Sequence, residues 1–166
     1  DDHHNRLDPH IWLSPRLVKV QAKTVLEALQ EADPASRSFY QNNYNRFIKL
    51  VSDLDGELTD LFRSKRQARF LVFHPSWGYF AKAYGLKQVA IEIEGKTPKP
   101  AQLKRIIEQM REYGIRIIFV QPQFSSKAAK LIARAINGEV VFIDPLSEDW
   151  MVNMRQVADK FKRTLK

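Results

Sequence analysis

The 166-residue sequence contains no cysteine. Without thiolates the chain can form neither a disulfide framework nor a cysteine metal cage, so histidine and carboxylate side chains are the strong metal ligands that remain. Its apolar runs are a few residues long, far short of the roughly 20 residues that a membrane-spanning helix needs. No signal peptide is visible, and the chain opens at Asp1 with a polar DDHHN stretch, so we expect it to be a piece of something longer.

The composition, 44% apolar and 28% charged, is typical of a folded globular chain with one good core or two small ones. A net charge of +8 raises the possibility of a nucleic-acid partner. The basic residues, however, are spread along helical stretches and alternate with acidic ones, as in KRIIEQMREYGIR, and the sequence has no zinc finger and no RNA-binding aromatic signature. We therefore predict a solvated basic surface and no nucleic-acid partner.

Two helices are predicted in the first 64 residues. Ser14 and Pro15 form a helix start, with an N-cap residue followed by proline, and apolar residues then recur at helical spacing to about residue 32. Asp33 and Pro34 repeat this start signal. An apolar seam then continues to about residue 64, which predicts a helix on the order of 45 Å long. Such a helix suits a strut between two lobes, a coiled coil or an ordinary surface helix.

From residue 65 onward the pattern changes to alternating strands and helices. Four short apolar runs rich in β-branched and aromatic residues predict strands at 69–73, 87–93, 116–120 and 139–143. Apolar strands that alternate with helices favour a parallel sheet covered on both faces. The predicted fold class is therefore α/β, with residues 65–166 forming a small four-stranded parallel lobe that follows the long helix over 34–64.

Candidate metal ligands collect at one edge of this predicted sheet. His74 follows the first strand and Asp144 follows the fourth, while His10 lies just before the first helix. Ligands bind beyond the carboxyl ends of parallel strands, where the loops converge. Each residue also has an ordinary structural explanation: His74 as a hydrogen-bonded loop residue, Asp144 as a turn residue, and His10 as a ring packed under an aromatic.

Glu92 and Glu94, at the end of the second strand, point toward the same edge. We interpret them as solvated carboxylates that flank a loop, because charged side chains are mostly exposed.

Three stretches, in this order around a long helix, resemble the metal-binding solute-binding proteins of ABC transporters. They are DPHIWLSP at 8–15, FHPSWGYFAKAYGL at 73–86 and DPL at 144–146. This family delivers zinc or manganese to a membrane permease, so the resemblance implies a non-enzymatic, periplasmic or otherwise extracytoplasmic carrier. The long helix resembles the rigid helix that links the two α/β lobes of such proteins.

The resemblance implies that His10, His74 and Asp144 are the metal ligands. A histidine at the position of His74 goes with zinc in this family and a glutamate goes with manganese, which agrees with the affinity of imidazole for zinc. Zinc is therefore the expected ion and manganese the alternative. Asp8 and Ser76 are candidates for the groups that orient the imidazoles.

The chain departs from the family in length, since members are about twice as long. Residues 1–33 would then be the end of the first lobe, and the fourth ligand, a histidine upstream, would be absent. A closed zinc site needs four ligands, so we expect water, a neighbouring molecule, His3 or His4 to complete it. We also expect the apolar surface that the absent lobe would cover to favour self-association.

Two other functions stay open at this point. A metal ion with an open coordination position could activate water, with His74 or a glutamate as base. The sequence shows no nucleophile elbow, phosphate loop or acid–base pair, and we predict no enzymatic activity. The chain could instead be a basic interaction module without metal that docks through the 34–64 helix.

Overall fold

The computed structural model describes residues 7–92, 98–123 and 127–165. The predictions that concern His3, His4 and Glu94 lie outside these residues. The described helices are α1 (Pro15–Ala32), α2 (Arg37–Phe62), α3 (Gly78–Tyr84), α4 (Pro100–Glu112), α5 (Lys127–Ala135) and α6 (Trp150–Thr164). The strands are β1 (Arg69–Val72), β2 (Lys87–Ala90), β3 (Ile117–Val120) and β4 (Glu139–Phe142).

The four strands form one parallel sheet in the order β2-β1-β3-β4. Buried apolar side chains pack in two clusters, one around Phe70, Trp77 and Phe161 and the other around Leu71, Met110 and Ile132. Phe70 and Leu71 are neighbours in β1 and point to opposite faces, because side chains alternate along a strand. Both faces of the sheet are therefore covered, and the predicted α/β class is confirmed.

The first two helices form an antiparallel pair. α1 begins at Pro15 as predicted, although the Ser14 side chain does not cap it; the Ser14 carbonyl instead accepts the first hydrogen bonds. The Asp33 carboxylate accepts a hydrogen bond from the Ser36 N–H. α2 has 26 residues and is therefore about 39 Å long. It is shorter than the predicted helix over 34–64 because a 3-10 turn stands at each of its ends.

The two halves of α2 have different surroundings. Its second half packs Leu54, Leu58 and Phe62 into the core cluster of the α/β lobe, and Val51 is also buried. Its first half forms, with α1, an open apolar groove of about 680 Å³. Exposed apolar side chains such as that of Phe39, which is 63% exposed, line this groove. Within the described ranges, no helix has both the length and the apolar character needed to cross a bilayer.

Polar contacts attach the helix pair to the lobe. The Tyr84 hydroxyl on α3 donates a hydrogen bond to Asp55 on α2, with 3.1 Å between the oxygens. Burial and the neighbouring Asp55 carboxylate raise the pKa of Tyr84 well above its usual range. Arg16 of α1 also contacts Asp55 and lies over the Tyr84 ring. These contacts join the first turn of α1, which follows the segment that carries His10, to the end of α3.

Candidate metal centre

His74 lies just beyond the end of β1, where its ring contacts a carboxylate from the neighbouring strand. The β1–β2 register pairs Val72 with Ala90, a difference of 18 positions that also places His74 beside Glu92. Glu92 Oε2 lies 2.5 Å from His74 Nδ1, and the Glu92 side chain is only 8% exposed. The interpretation of Glu92 as a solvated carboxylate is therefore wrong: the strand pairing draws it into the site.

His10 carries a similar carboxylate contact from within its own loop. Asp8 Oδ1 lies 2.6 Å from His10 Nδ1 and also accepts a hydrogen bond from the His10 backbone N–H at 2.9 Å. The expectation that Asp8 orients this imidazole agrees with these contacts. The other carboxylate oxygen packs against Gly78 at the start of α3, where an added Cβ would stand 2.9 Å from it. Glycine is therefore the residue that lets α3 approach Asp8 this closely.

The two histidine rings meet although 64 positions separate them in the sequence. Their centroids are 5.2 Å apart in an edge-on arrangement, and the Trp12 ring lies 5.3 Å from His10. The contact with His74 fits the interpretation of His10 as a metal ligand, and the contact with Trp12 fits its interpretation as a ring packed against an aromatic. The structure places two imidazoles, each with a carboxylate on Nδ1, at the carboxyl edge of the sheet.

Asp144 occupies the same edge but bonds to other partners. Its Oδ1 accepts hydrogen bonds from Gln123 Nε2 at 2.8 Å and from the Leu146 N–H at 2.9 Å. The Trp12 indole N–H donates to the Pro145 carbonyl at 2.9 Å, which joins the His10 segment to the loop after β4. Across residues 7–92, 98–123 and 127–165, no three His, Asp or Glu side chains stand close enough to hold one ion. The three-ligand set stays a prediction.

The floor of the site contains a residue that sequence reasoning missed. Gln121, fully buried directly after β3, donates from Nε2 to the His74 carbonyl at 3.0 Å and to Ser76 Oγ at 2.8 Å. The Ser76 hydroxyl therefore contacts Gln121, and the group on the His74 ring nitrogen is Glu92. The available signal was the position of Gln121, a polar residue at the end of a buried strand on the same edge as His74.

Comparison with known proteins shows the family to which the chain is related. The profile of the family described as zinc-uptake complex component A, periplasmic (ZnuA), matches residues 1–164. A curated relative, the high-affinity zinc uptake system protein ZnuA of Bacillus subtilis, is 30% identical over 142 residues, which is 84% of this chain and 44% of the relative.

Solved structures agree in fold. A crystal structure of ZnuA superposes on all of this chain with a TM-score of 0.94 and 40% identity, and the chain covers 63% of it. A zinc-bound deletion mutant of ZnuA gives a TM-score of 0.89 and 42% identity over 95% of this chain, which covers 60% of that structure. The chain thus spans less than half of the Bacillus relative and under two thirds of these structures. It belongs to the family of periplasmic zinc-uptake component A proteins.

Proposed function

We propose that this chain captures a zinc ion at the carboxyl edge of its sheet and serves, outside the cytoplasm, as part of the carrier that supplies an ABC transporter permease. The observation that carries the proposal is the pair of imidazoles 5.2 Å apart, each with a carboxylate on Nδ1. A ligating histidine commonly gives its other ring N–H to a carboxylate, which fixes its tautomer and orientation.

The roles follow from these contacts. Asp8 and Glu92 would hold the Nδ1 protons of His10 and His74, so that Nε2 of each ring binds the ion. Asp144 would be the third ligand once its carboxylate exchanges the contact with Gln123 for the ion. Because His10 precedes α1 and His74 follows β1, capture would tie two separate segments of the chain together.

Zinc is preferred over manganese because the paired residues are imidazoles. Nitrogen ligands suit zinc, whereas manganese prefers a set dominated by carboxylate oxygens. The two carboxylates nearest the rings, those of Asp8 and Glu92, are already engaged with ring nitrogens. The names of the matched relatives, a zinc uptake protein and a zinc-bound ZnuA mutant, support the same ion.

A transport role, and not an enzymatic one, is supported by the family itself. The matched family is described as a component of a zinc-uptake complex, and the curated relative is an uptake protein. We extend to this chain the permease partner and the periplasmic or extracytoplasmic location that such a role implies.

Calorimetric titration of the metal-free chain with zinc, and separately with manganese, tests the proposal. We expect stoichiometric zinc binding that is weakened in each of the variants His10→Ala, His74→Ala and Asp144→Ala. The double variant His3→Ala/His4→Ala is compared with them, because these two histidines are the other imidazoles of the chain and are candidates for the further ligand. Tighter binding of manganese would move the assignment to the manganese-binding members. Binding lost only in the His3→Ala/His4→Ala variant would refute the proposed site.

A further inference from the structure

A second cluster of charged residues lies at the opposite, amino edge of the sheet. Three arginines line a cavity of about 290 Å³ there: Arg66 before β1, Arg69 as the first residue of β1, and Arg116 just before β3. Tyr113 and Thr164, at the ends of α4 and α6, complete its wall. None of these residues takes part in the candidate metal centre.

The strand register explains why the cations stand together. Arg69 pairs directly with Lys87 of β2. On its other side β1 pairs Leu71 with Ile118 and Val72 with Phe119 of β3. The same register, continued back beyond these paired residues, leads to Arg69 and Arg116, which both line the cavity. Arg69 and Lys87 thus lie on paired strands about 4.8 Å apart, and Arg116 lies just before the neighbouring strand β3. Like charges placed opposite each other in a sheet repel, so this row costs stability unless an anion offsets it.

The chain supplies no such anion in its described part. Over residues 7–92, 98–123 and 127–165, no carboxylate lies within ion-pair distance of the cavity arginines Arg66, Arg69 and Arg116. Other arginines do have carboxylate partners, namely Arg16, Arg63 and Arg155. Glu139, the first residue of β4, lies next to Arg116, and its backbone N–H donates to the Arg116 carbonyl at 2.8 Å. Its carboxylate, however, forms no ion pair with the Arg116 guanidinium.

One of the arginines is also held in place. The Arg69 guanidinium lies over the Tyr113 ring, 4.3 Å from its centre. Such a cation–π contact restricts the side chain while leaving the N–H donors at the edge of the guanidinium plane able to bind a ligand. The cavity therefore combines unneutralised cations with at least one preorganised donor.

We propose that this cavity binds a phosphate-class oxyanion. Guanidinium groups match tetrahedral oxyanions well, because each can give two parallel N–H···O bonds. A cavity of about 290 Å³ has room for a phosphate group and a small substituent. The anion could come from a soluble phosphate compound or from the headgroup of an anionic phospholipid, and the recognition chemistry is shared.

A structural role for the same arginines makes a different prediction. The carboxyl ends of α4 and α6 carry partial negative charge, and nearby cations stabilise helix ends of this kind. If that were their whole function, removing the arginines would lower the melting temperature and leave affinity for phosphate unchanged.

The test uses the 166-residue chain with its metal stripped by a chelator, so that phosphate cannot bind through zinc. Sodium phosphate is titrated calorimetrically at constant ionic strength, with sodium chloride as the blank. In a second arm the chain is floated with vesicles of phosphatidylcholine, with and without phosphatidylglycerol. The variant Arg69→Gln/Arg116→Gln is compared with Arg37→Gln/Arg46→Gln, which removes the same charge from α2. Arg66→Gln, in the exposed loop before β1, serves if the first variant does not fold.

We expect the Arg69→Gln/Arg116→Gln variant to lose on the order of tenfold or more in affinity, since each charged hydrogen bond typically contributes about that factor. The α2 control should stay within about twofold of the parent, because the lost charges lie far from the cavity. Binding of inorganic phosphate supports a soluble ligand, and binding of phosphatidylglycerol vesicles alone supports a headgroup. No binding in either arm, equal losses in the control, or a changed melting temperature with unchanged affinity would each overturn the proposal.

Discussion

The two edges of the sheet differ in how their charged groups are paired. At the carboxyl edge, His10 and His74 each contact a carboxylate that belongs to the chain. At the amino edge, the arginines around the cavity have no carboxylate partner among the described residues. Histidines with a carboxylate on Nδ1 are oriented to bind a cation, whereas unneutralised arginines attract an anion. The two proposed sites would therefore have opposite polarity at the two edges of one sheet.

The largest effect is expected from breaking the pairing at the carboxyl edge. Glu92→Gln keeps the size of the side chain but removes the charge that holds the His74 ring, and zinc affinity should fall about 10- to 100-fold. Glu92 is a positioning residue here, because it acts through His74. Calorimetric zinc titration measures the change.

The matched control for this prediction is Glu108→Gln. Glu108 is an exposed α4 residue whose carboxylate pairs with Lys104. Its substitution removes the same charge from the chain and should leave zinc affinity within about twofold, because exposed charges outside the site are screened. Equal losses in the two variants would mean that net charge, and not the orientation of His74, governs binding.

The contrast between the edges was only partly readable in the sequence. The rule that ligands bind at the carboxyl ends of parallel strands predicted that His74 and Asp144 share one edge, and the family motifs added His10. Asp8, named as a candidate partner of an imidazole, does contact His10. Glu92 was misjudged, because its contact depends on the 18-position register between β1 and β2. Sequence periodicity identifies strands without stating which residues stand side by side.

The same limit applies at the amino edge. Arg69, Lys87 and Arg116 lie far apart in the sequence, and only the strand register brings them into one row. The predicted strands were also too long, for a related reason. The predicted strand at 69–73 ends at Val72, although the Phe73 N–H still donates to the Phe119 carbonyl. Apolar character continues past the last paired residue because the side chain remains buried in the core.

A smaller effect is expected from crowding the carboxyl edge without removing a charge. In Gly78→Ala the added methyl group would stand 2.9 Å from Asp8 Oδ2, so the carboxylate and the His10 ring must shift. A displacement of this size should lower zinc affinity by about tenfold, within the range seen when partners of metal ligands are disturbed. Zinc titration of the purified variant gives the value.

Gly56→Ala is the control for that substitution. Gly56 lies within α2 and has no neighbouring atom within 4 Å of the added Cβ. Alanine there should stabilise the helix by about 0.5–1 kcal/mol without changing zinc affinity. If the Gly56 variant lost as much affinity as the Gly78 variant, the effect could not be assigned to contact with Asp8.

The smallest effect is expected at an ion pair that belongs to neither edge and serves as the baseline. Arg155 of α6 donates to both carboxylate oxygens of Glu57 on α2, at 2.6 and 3.0 Å, and this hydrogen bonding lowers the pKa of Glu57. A carboxyl whose folded-state pKa is depressed stabilises the fold above its unfolded-state pKa, and this contribution is lost as the pH falls through the folded-state value. Both side chains are more than 40% exposed, so the pair should contribute only about 0.5 kcal/mol.

Thermal unfolding of Glu57→Gln should therefore show a midpoint about 1–2 °C below that of the parent at neutral pH. The difference should shrink as the pH falls through the lowered pKa of Glu57 and disappear once the parent is also protonated there. A difference that persisted in acid would come from packing and not from charge. Neither zinc nor phosphate affinity should change in this variant, since Glu57 and Arg155 contact neither site. Losses at Glu92 or at the arginines could then be read as local to their own edge of the sheet.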